Sequence, residues 1–128
     1  MIYIYGLNTS GLSIIKYFIK QNIKIIVWDD QIDQRKIVSK LYKNLIFQNP
    51  KTLDYNQLDV AYVTPGISLK DKRIKPLIKN NIKIFRDLEL YINLLKKQKT
   101  ISITGTNGKS TTTKMIGDMV TLNKKKCF

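Results

Sequence analysis

Short apolar runs alternate along this 128-residue chain with longer segments in which apolar residues recur every three or four positions. A short apolar run predicts a buried strand, and the three- and four-residue spacing predicts a helix with one buried face. Strands are thereby predicted over residues 2–5, 25–28, 45–47, 60–63, 82–85 and 101–104. Helices are predicted over 11–21, 33–43, 71–80 and 109–122, with one more beginning at Asp87 as its N-cap.

This alternation predicts βαβ crossovers and a mostly parallel sheet. Right-handed crossovers then produce a doubly wound, Rossmann-like α/β domain over residues 1–95, with the lysine-rich stretch 96–99 as a polar linker. Each helix carries an apolar stripe that we expect to face a core. In chain order, the stripes are Leu12, Ile15, Phe18 and Ile19; Ile37, Val38, Leu41 and Tyr42; Ile74, Leu77 and Ile78; Leu88, Tyr91, Ile92 and Leu95; and Met115, Ile116, Met119 and Val120.

The histidine and cysteine content of the chain excludes several kinds of catalytic and metal-binding site. The 128 residues contain no histidine, which excludes a Ser-His-Asp triad, a Cys-His dyad and a histidine-based metal site within them. The single cysteine, Cys127, cannot form an intrachain disulfide, so a cytoplasmic location is expected. The chain starts directly as an apolar strand, and no apolar run approaches the roughly 18–20 residues of a membrane helix. We therefore expect neither a secretory signal nor a membrane partner.

The formal charge of +14 comes from 23 Lys and Arg against 9 Asp and Glu. Such a balance is compatible with a nucleic-acid surface. However, the lysines are spread over nearly every segment and are not interleaved with aromatic residues in the way that single-stranded nucleic acids require. Solvated lysines on helix faces are the favoured interpretation, and no nucleic-acid partner is expected. The positive field would still favour small phosphorylated ligands.

The strongest chemical signal is a glycine-containing loop between predicted strand 101–104 and predicted helix 109–122. Glycines let backbone N–H groups turn toward an anion, and the helix N-terminus adds partial positive charge. Lys109 would reach the β- and γ-phosphates of a nucleotide, and the Ser110 hydroxyl would contact Mg²⁺. The strict pattern G-x-x-x-x-G-K-[ST] fails because its first glycine would fall on Ile103, and the alternative is an ordinary helix-capping turn. The candidate phosphate-binding residues are Gly105, Thr106, Asn107, Gly108, Lys109, Ser110, Thr111 and Thr112.

Two further turns follow predicted strands. Gly6 and Gly11 fit the outer positions of a dinucleotide fingerprint, while Asn8 stands where the middle glycine is expected. The N–H groups of Thr9 and Ser10 would point at a pyrophosphate, and Asp29, about 20 residues on, is placed to contact a nucleoside. The segment 64–66, Thr-Pro-Gly, ends another strand, where open α/β sheets bind ligands. Either turn could instead be purely structural.

The three segments, in this order, resemble the Mur ligase family, within it the ligases specific for D-glutamate. Residues 6–13, G-L-N-T-S-G-L-S, are similar to that family's G-L-G-x-T-G-L-S, and residues 64–67, T-P-G-I, to its S-P-G-I. Residues 86–91, R-D-L-E-L-Y, resemble its G-D-x-E-L-F, and residues 103–111 its ATP loop, I-T-G-T-N-G-K-S-T. The resemblance extends over almost the whole chain.

The resemblance implies that residues 1–95 bind the UDP part of UDP-N-acetylmuramoyl-L-alanine, and that residues 96–128 begin an ATP-binding central domain. The implied substrate contacts are Thr9 and Ser10 at the diphosphate, Asp29, Asp30 and Gln31 at the uracil end, and Gly66 further along the substrate. ATP and Mg²⁺ would be held by the candidate phosphate-binding residues.

The implied reaction is ATP-dependent amide ligation in peptidoglycan precursor synthesis. The substrate carboxylate takes a phosphoryl group from ATP, and the amine of D-glutamate displaces phosphate from the acyl phosphate. Lys109 is the expected catalytic residue because it can stabilise charge on the moving phosphoryl group.

Departures from the family pattern leave alternatives open. Asn8 replaces a glycine, and Gln31 stands where the family often has arginine. Family members continue with the rest of the ATPase domain and a D-glutamate domain, so this chain is expected to be inactive unless those domains are supplied separately. The alternatives are a non-catalytic UDP-sugar-binding module, a nicotinamide-dependent Rossmann oxidoreductase, suggested by Gly6, Gly11 and Asp29, and a nucleic-acid-binding protein.

Overall fold

A computed structural model describes residues 1–95 and 99–126 of the chain. The chain divides into two compact units, Met1–Leu94 and Leu95–Phe128, which are described in turn. The predicted linker at 96–99 falls, apart from Lys99, outside the described residues, as does Cys127.

The first unit is built on a five-stranded, all-parallel sheet with the strand order β3-β2-β1-β4-β5. The chain fills one half of the sheet from the centre outward and then crosses to the other half, which is the topology of a doubly wound sheet. The order reverses between β1 and β4, where Ile2 lies opposite Val60 and Tyr5 opposite Val63. The strands are β1 (Ile2–Tyr5), β2 (Ile25–Trp28), β3 (Ile46–Phe47), β4 (Val60–Val63) and β5 (Lys83–Phe85).

Four helices complete the first unit, and a further helix lies in the described part of the second. They are α1 (Thr9–Lys20), α2 (Ile32–Leu41), α3 (Lys75–Lys79) and α4 (Asp87–Leu94) in the first unit, and α5 (Lys109–Leu122) in the second. Two short 3-10 helices, Pro50–Thr52 and Tyr55–Gln57, lie in the connection from β3 to β4. The predicted α/β class and the predominantly parallel sheet are confirmed.

Successive strand residues bury their side chains in two separate cores, one on each face of the sheet. In β1, Tyr3 and Tyr5 enter one core and Ile4 enters the other. The first core is closed by Ile74 and Leu77 around α3, together with loop residues. The second core is closed by α1 and α2. Because helices cover both faces, the central strands β1, β2 and β4 are apolar at every position, which is why short continuous apolar runs identified them.

The predicted helical stripes are only partly buried. Ile15, Phe18, Val38, Ile74 and Leu77 are in the core, as predicted. Ile14 is buried instead of Ile19. Gly11 and Phe18 lie on the face of α1 that packs on the sheet, and Ile14 is three residues from one and four from the other, so it shares that face. The prediction was wrong for the following stripe residues, whose side chains are exposed: Ile19, Ile37, Leu41, Ile78, Leu88, Tyr91, Ile92, Met115 and Met119.

The helix predicted over 71–80 is shorter than expected: α3 begins only at Lys75 and ends at Lys79. Pro76 cannot donate a backbone hydrogen bond, so it is tolerated in the first helical turn and disfavoured in the interior. Residues before it instead form turns, in which the Asp71 carboxylate accepts a hydrogen bond from the Arg73 N–H at 2.9 Å. Asp87 is likewise the first residue of α4 rather than its N-cap, since the Leu90 N–H bonds to the carbonyl of Arg86.

The second unit contains α5, whose bounds agree with the predicted helix 109–122. The strand predicted over 101–104 is not formed. A strand requires a hydrogen-bonded neighbour, and within 1–95 and 99–126 no segment pairs with it.

Candidate functional site

The turn between β1 and α1 depends on two glycines that let three backbone segments approach closely. Gly6 has a φ of +99°, and a Cβ there would lie 1.9 Å from the Thr64 Oγ1 atom. A Cβ on Gly11 would lie 1.9 Å from the Gly6 carbonyl oxygen. The first glycine therefore provides the turn and its contact with the end of β4, and the second lets α1 pack on that turn. These are the roles that glycines have in a dinucleotide-binding turn.

Asn8 occupies the middle glycine position without backbone strain, because its φ of −73° and ψ of −166° are open to any residue. Its side chain makes no capping hydrogen bond to α1. Within the described part of the chain, no acceptor reaches the N–H groups of Thr9 and Ser10. The amino end of α1 thus presents uncapped donors and the positive end of a helix dipole at the carboxyl edge of the sheet.

Thr9 is exposed, whereas the Ser10 hydroxyl is already engaged. It donates to the Asp87 Oδ2 atom at 2.5 Å, which links this turn to the beginning of α4. Both residues border a groove of about 340 Å³ between α1 and α4, which is also lined by Tyr17 and Leu94. A larger cavity of about 430 Å³, between Ile19 and Ile46 at another part of the first unit, contains no predicted site residue.

Asp29 follows β2 directly and is buried, and both of its carboxylate oxygens accept backbone hydrogen bonds. Oδ2 accepts from the Leu7 N–H at 2.7 Å and Oδ1 from the Gln31 N–H at 2.9 Å. The carboxylate thereby ties the turn after β1 to the beginning of α2. A direct side-chain contact to a nucleoside, predicted for Asp29, would compete with these two bonds.

The neighbouring Asp30 carboxylate is also occupied. It accepts from the Tyr5 hydroxyl at 2.8 Å and from the Trp28 Nε1 at 3.3 Å, and it forms an ion pair with Arg73. Burial, followed by the hydrogen bond to Asp30, raises the pKa of the Tyr5 hydroxyl. Arg73 pairs with Asp71 as well, and its hydrogen bonds hold the pKa of Asp71 below the usual value of 3.8.

A cation reaches this end of β2 although residue 31 is glutamine. Arg35, one helical turn further along α2, donates to the carbonyl oxygens of Asp29 at 2.5 Å and Asp30 at 3.1 Å. Its guanidinium lies 4.2 Å from the centre of the Trp28 ring, within cation–π range. Arg35 does not stand out in the sequence, because the family pattern has its arginine at position 31, four residues earlier. Gln31 itself is exposed and provides no side-chain cap to α2.

The turn after β4 lies beside the Gly6 turn at the point where the strand order reverses. The Thr64 N–H bonds to the Tyr5 carbonyl, and the Thr64 carbonyl accepts from Ile67, closing a tight turn around the exposed Gly66. A Cβ on Gly66 would meet nothing within 4 Å. The structure therefore brings three predicted segments to one edge of the sheet: the turn at 6–10, residues 29–31 and the turn at 64–66. We call this edge the switch-point site.

The candidate phosphate loop lies in the second unit. Gly108, just before α5, has a φ of +75°, and Gly105 has a φ of +149°, so both positions favour glycine. The Lys109 ammonium folds back to donate to the carbonyls of Gly105 at 2.5 Å and Thr106 at 3.3 Å. Over 99–126, no acceptor reaches the N–H groups of Ser110 and Thr111. The loop thus combines uncapped amides, a helix N-terminus and a lysine.

The described residues offer no ready-made metal cage. Nowhere in the described ranges do three or more Cys, Asp or Glu side chains, the possible metal ligands here, come together. Ser110 is exposed, and its hydroxyl is the predicted oxygen ligand at the start of α5. In the same ranges, no helix has both the length and the apolarity to cross a membrane.

Comparison with known proteins shows the family to which the chain is related. A family model described as "Mur ligase MurD-like, N-terminal domain" matches residues 1–86. UDP-N-acetylmuramoylalanine–D-glutamate ligase of Wolbachia sp. subsp. Brugia malayi is 34% identical over 128 residues, covering 96% of this chain and 26% of that protein. The ligase of the same name from Rickettsia prowazekii is 34% identical over 120 residues, covering 94% and 27%. The one from Caldicellulosiruptor saccharolyticus is 25% identical over 121 residues, covering 90% and 27%.

The chain therefore spans about a quarter of the length of these relatives. The family model covers the entire sheet, both turns of the switch-point site and residues 29–31. The relatives are named as ligases of UDP-N-acetylmuramoylalanine and D-glutamate. On this evidence, the chain belongs to the MurD-like family of Mur ligases and carries that family's N-terminal domain.

Proposed function

We propose that the first unit binds the nucleotide end of UDP-N-acetylmuramoyl-L-alanine at the switch-point site. The observation that carries the proposal is the uncapped amino end of α1 at the point where the strand order reverses. Open α/β sheets bind ligands at this place, and helix N-termini favour phosphate groups. The N–H groups of Thr9 and Ser10 would hold the diphosphate. The turn with Gly66 would border the sugar and its attached groups.

At the uracil end, the contacts would come from the backbone of 29–31 and the exposed Gln31 side chain. The carboxylates of Asp29 and Asp30 already have protein partners, so they would hold this segment in place. The same occupancy disfavours the nicotinamide alternative. In that case an acidic side chain at this position has to be available for a ribose hydroxyl.

We also propose that residues 105–112 bind the phosphates of ATP, with Lys109 as the catalytic residue. The residues fit such a ligand, because the loop has two glycines with positive φ, free amides and a lysine beside them. Lys109 would exchange its bonds to the carbonyls of Gly105 and Thr106 for phosphate oxygens. Mg²⁺, held by those phosphates and the Ser110 hydroxyl, would supply neutralisation of phosphate charge.

The reaction that this arrangement would serve in a full-length ligase is amide formation. An oxygen of the substrate carboxylate attacks the γ-phosphorus of ATP, so that the bond to ADP breaks and an acyl phosphate forms. The neutral amine of D-glutamate then attacks the acyl carbon, inorganic phosphate leaves with the bonding electrons, and the nitrogen gives up one proton to solvent as the amide forms. The step at phosphorus needs stabilisation of the equatorial oxygens, which a lysine and backbone amides provide.

Ligand-dependent stabilisation of the 128-residue chain tests the first proposal. UDP-N-acetylmuramoyl-L-alanine, NAD and single-stranded DNA would each be titrated while unfolding is followed by the fluorescence of Trp28, the chain's single tryptophan. The UDP-sugar should stabilise the chain by about 2.7 kcal/mol at a hundred times its Kd. Stabilisation by NAD or DNA instead, with no response to the UDP-sugar, would refute the proposal.

The ATP proposal has its own matched pair of variants. Lys109→Met should weaken ATP binding at least tenfold, since a hydrogen bond to a charged group is worth about 1.5–3 kcal/mol. Lys114→Met removes the same charge from an exposed position on α5 and should change the Kd for ATP less than twofold. Calorimetric titration measures both. Equal affinities for the two variants would show that Lys109 does not contact the nucleotide.

A further inference from the structure

The junction between β5 and α4 contacts both turns of the switch-point site through two adjacent residues. On one side, the Arg86 Nη1 atom donates to the Val63 carbonyl at 3.0 Å and to the Thr64 carbonyl at 2.6 Å. On the other, the Asp87 carboxylate accepts the Ser10 hydroxyl at 2.5 Å. Arg86 and Asp87 are thus joined to segments that are 23 and 77 residues away in the chain, respectively.

The backbone of this junction is itself held in place. The Glu89 carboxylate reaches back and accepts the Arg86 N–H at 2.5 Å, and the Leu90 N–H bonds to the Arg86 carbonyl. This is the reciprocal half of a capping box, in which the third helical residue satisfies the N–H of the residue before the helix. The side chains of Arg86 and Asp87 therefore extend from a fixed helix start.

The charge on Arg86 has a specific effect at this position. Val63 ends β4 and Thr64 follows it beside the Gly6 turn, so the partial negative charge of their carbonyl oxygens lies next to the place proposed for a diphosphate. A guanidinium bonded to both oxygens offsets that charge and fixes the turn that they belong to. Without it, the carbonyls would repel an anionic ligand.

We propose that Arg86 and Asp87 are positioning residues that set the two turns of the switch-point site for a diphosphate ligand. Arg86 holds the turn at 64–66, and Asp87 holds the Ser10 side chain so that its backbone N–H faces the ligand. The inference rests on the proposed function, because it concerns the same site. Neither residue is assigned contact with the substrate.

The test compares the affinities of UDP and uridine, which share the nucleoside and differ in the diphosphate. Arg86→Met should lower the affinity for UDP about tenfold while that for uridine changes less than twofold, a loss typical of one charged hydrogen bond. Lys83→Met is the matched control, because it removes the same charge from an exposed position on β5 and should change neither affinity more than twofold. Arg86→Lys, which keeps the charge and a donor, should recover most of the affinity for UDP.

Asp87 is tested through its partner. Ser10→Ala, Asp87→Ala and the double variant should each lower the affinity for UDP, and the double variant should lose no more than the worse single variant, because both act through one hydrogen bond. If Arg86→Met fails to fold in thermal melts, Arg86→Gln replaces it with the same expected direction.

The outcomes separate the two proposals. If the wild-type chain binds UDP no more tightly than uridine, the proposed diphosphate site is refuted. If the wild-type chain prefers UDP but Arg86→Met keeps that preference within twofold, only the role of Arg86 is refuted. Additive losses in the Ser10 and Asp87 variants would refute the role of Asp87.

Discussion

Gly11 supports the packing of α1 against the turn after β1, and replacing it with alanine is the sharpest test of that geometry. The added Cβ would lie 1.9 Å from the Gly6 carbonyl oxygen and 2.9 Å from its carbonyl carbon, whereas ordinary contacts begin near 3.4 Å. Both atoms belong to the backbone, so no side-chain rotation relieves the clash. The helix or the turn must move by about 1.5 Å, which is the difference between the first distance and an ordinary contact.

The expected cost follows from two opposing effects. Overpacking a well-packed site costs about 1–3 kcal/mol, and a rigid backbone obstacle places Gly11→Ala at the upper end. Alanine regains up to about 1 kcal/mol through its better helix propensity. A net loss of about 2 kcal/mol is expected, equivalent to a decrease of about 8–16 °C in Tm for a unit of this size.

Urea unfolding monitored by Trp28 fluorescence reports on the first unit, since Trp28 ends β2. Gly66→Ala is the control, because nothing lies within 4 Å of its Cβ, and its stability should stay within about 0.5 kcal/mol of the wild type. A Gly11→Ala variant as stable as the wild type would show that α1 and the turn do not approach each other as described.

Two pH predictions concern side chains near the switch-point site. Hydrogen bonds from Arg73 lower the pKa of Asp71, so this interaction stabilises the fold above pH ~4 and is lost as the pH falls below that value; Asp71→Asn should flatten the acid limb of a plot of unfolding free energy against pH. An acid limb identical in both proteins would contradict this. Burial raises the pKa of Tyr5 above 10.0, so the unfolded chain ionises first and stability should decrease above pH ~10. Tyr5→Phe should reduce that alkaline decrease, and an unchanged slope would show that Tyr5 does not cause it.

The elements of this protein were largely predictable because the information for them is local. The limits of β1, β2 and β4 agree with the apolar runs, since a strand buried on both faces has no polar position to interrupt the pattern. The start of α5 was predictable for the same kind of reason, because Gly108 and the residues after it encode the turn and the helix locally. The prediction of a strand at 101–104 was wrong, because a strand also needs a neighbouring strand to which it can hydrogen-bond, and no local pattern specifies that neighbour.

The individual site segments were also visible in the sequence, as glycine turns that follow strands. The sequence did not reveal which groups the side chains near these segments bond to. Asp29 and Asp30 were predicted to contact a ligand, and the structure shows that their carboxylates bond to neighbouring protein groups. Arg86 attracted no attention as a charged residue because its partners, Val63 and Thr64, lie on another strand.

By itself, then, the sequence determined the order of strands and helices in the first unit, the α/β class and the positions of three glycine-containing turns, because periodicity and turn chemistry act over a few residues. The tertiary structure alone decided the strand order, the contact between Gly6 and Thr64, and the bond between Ser10 and Asp87. These depend on how parallel crossovers bring distant segments to one sheet edge, since a hydrogen bond forms only between groups that the whole fold places together.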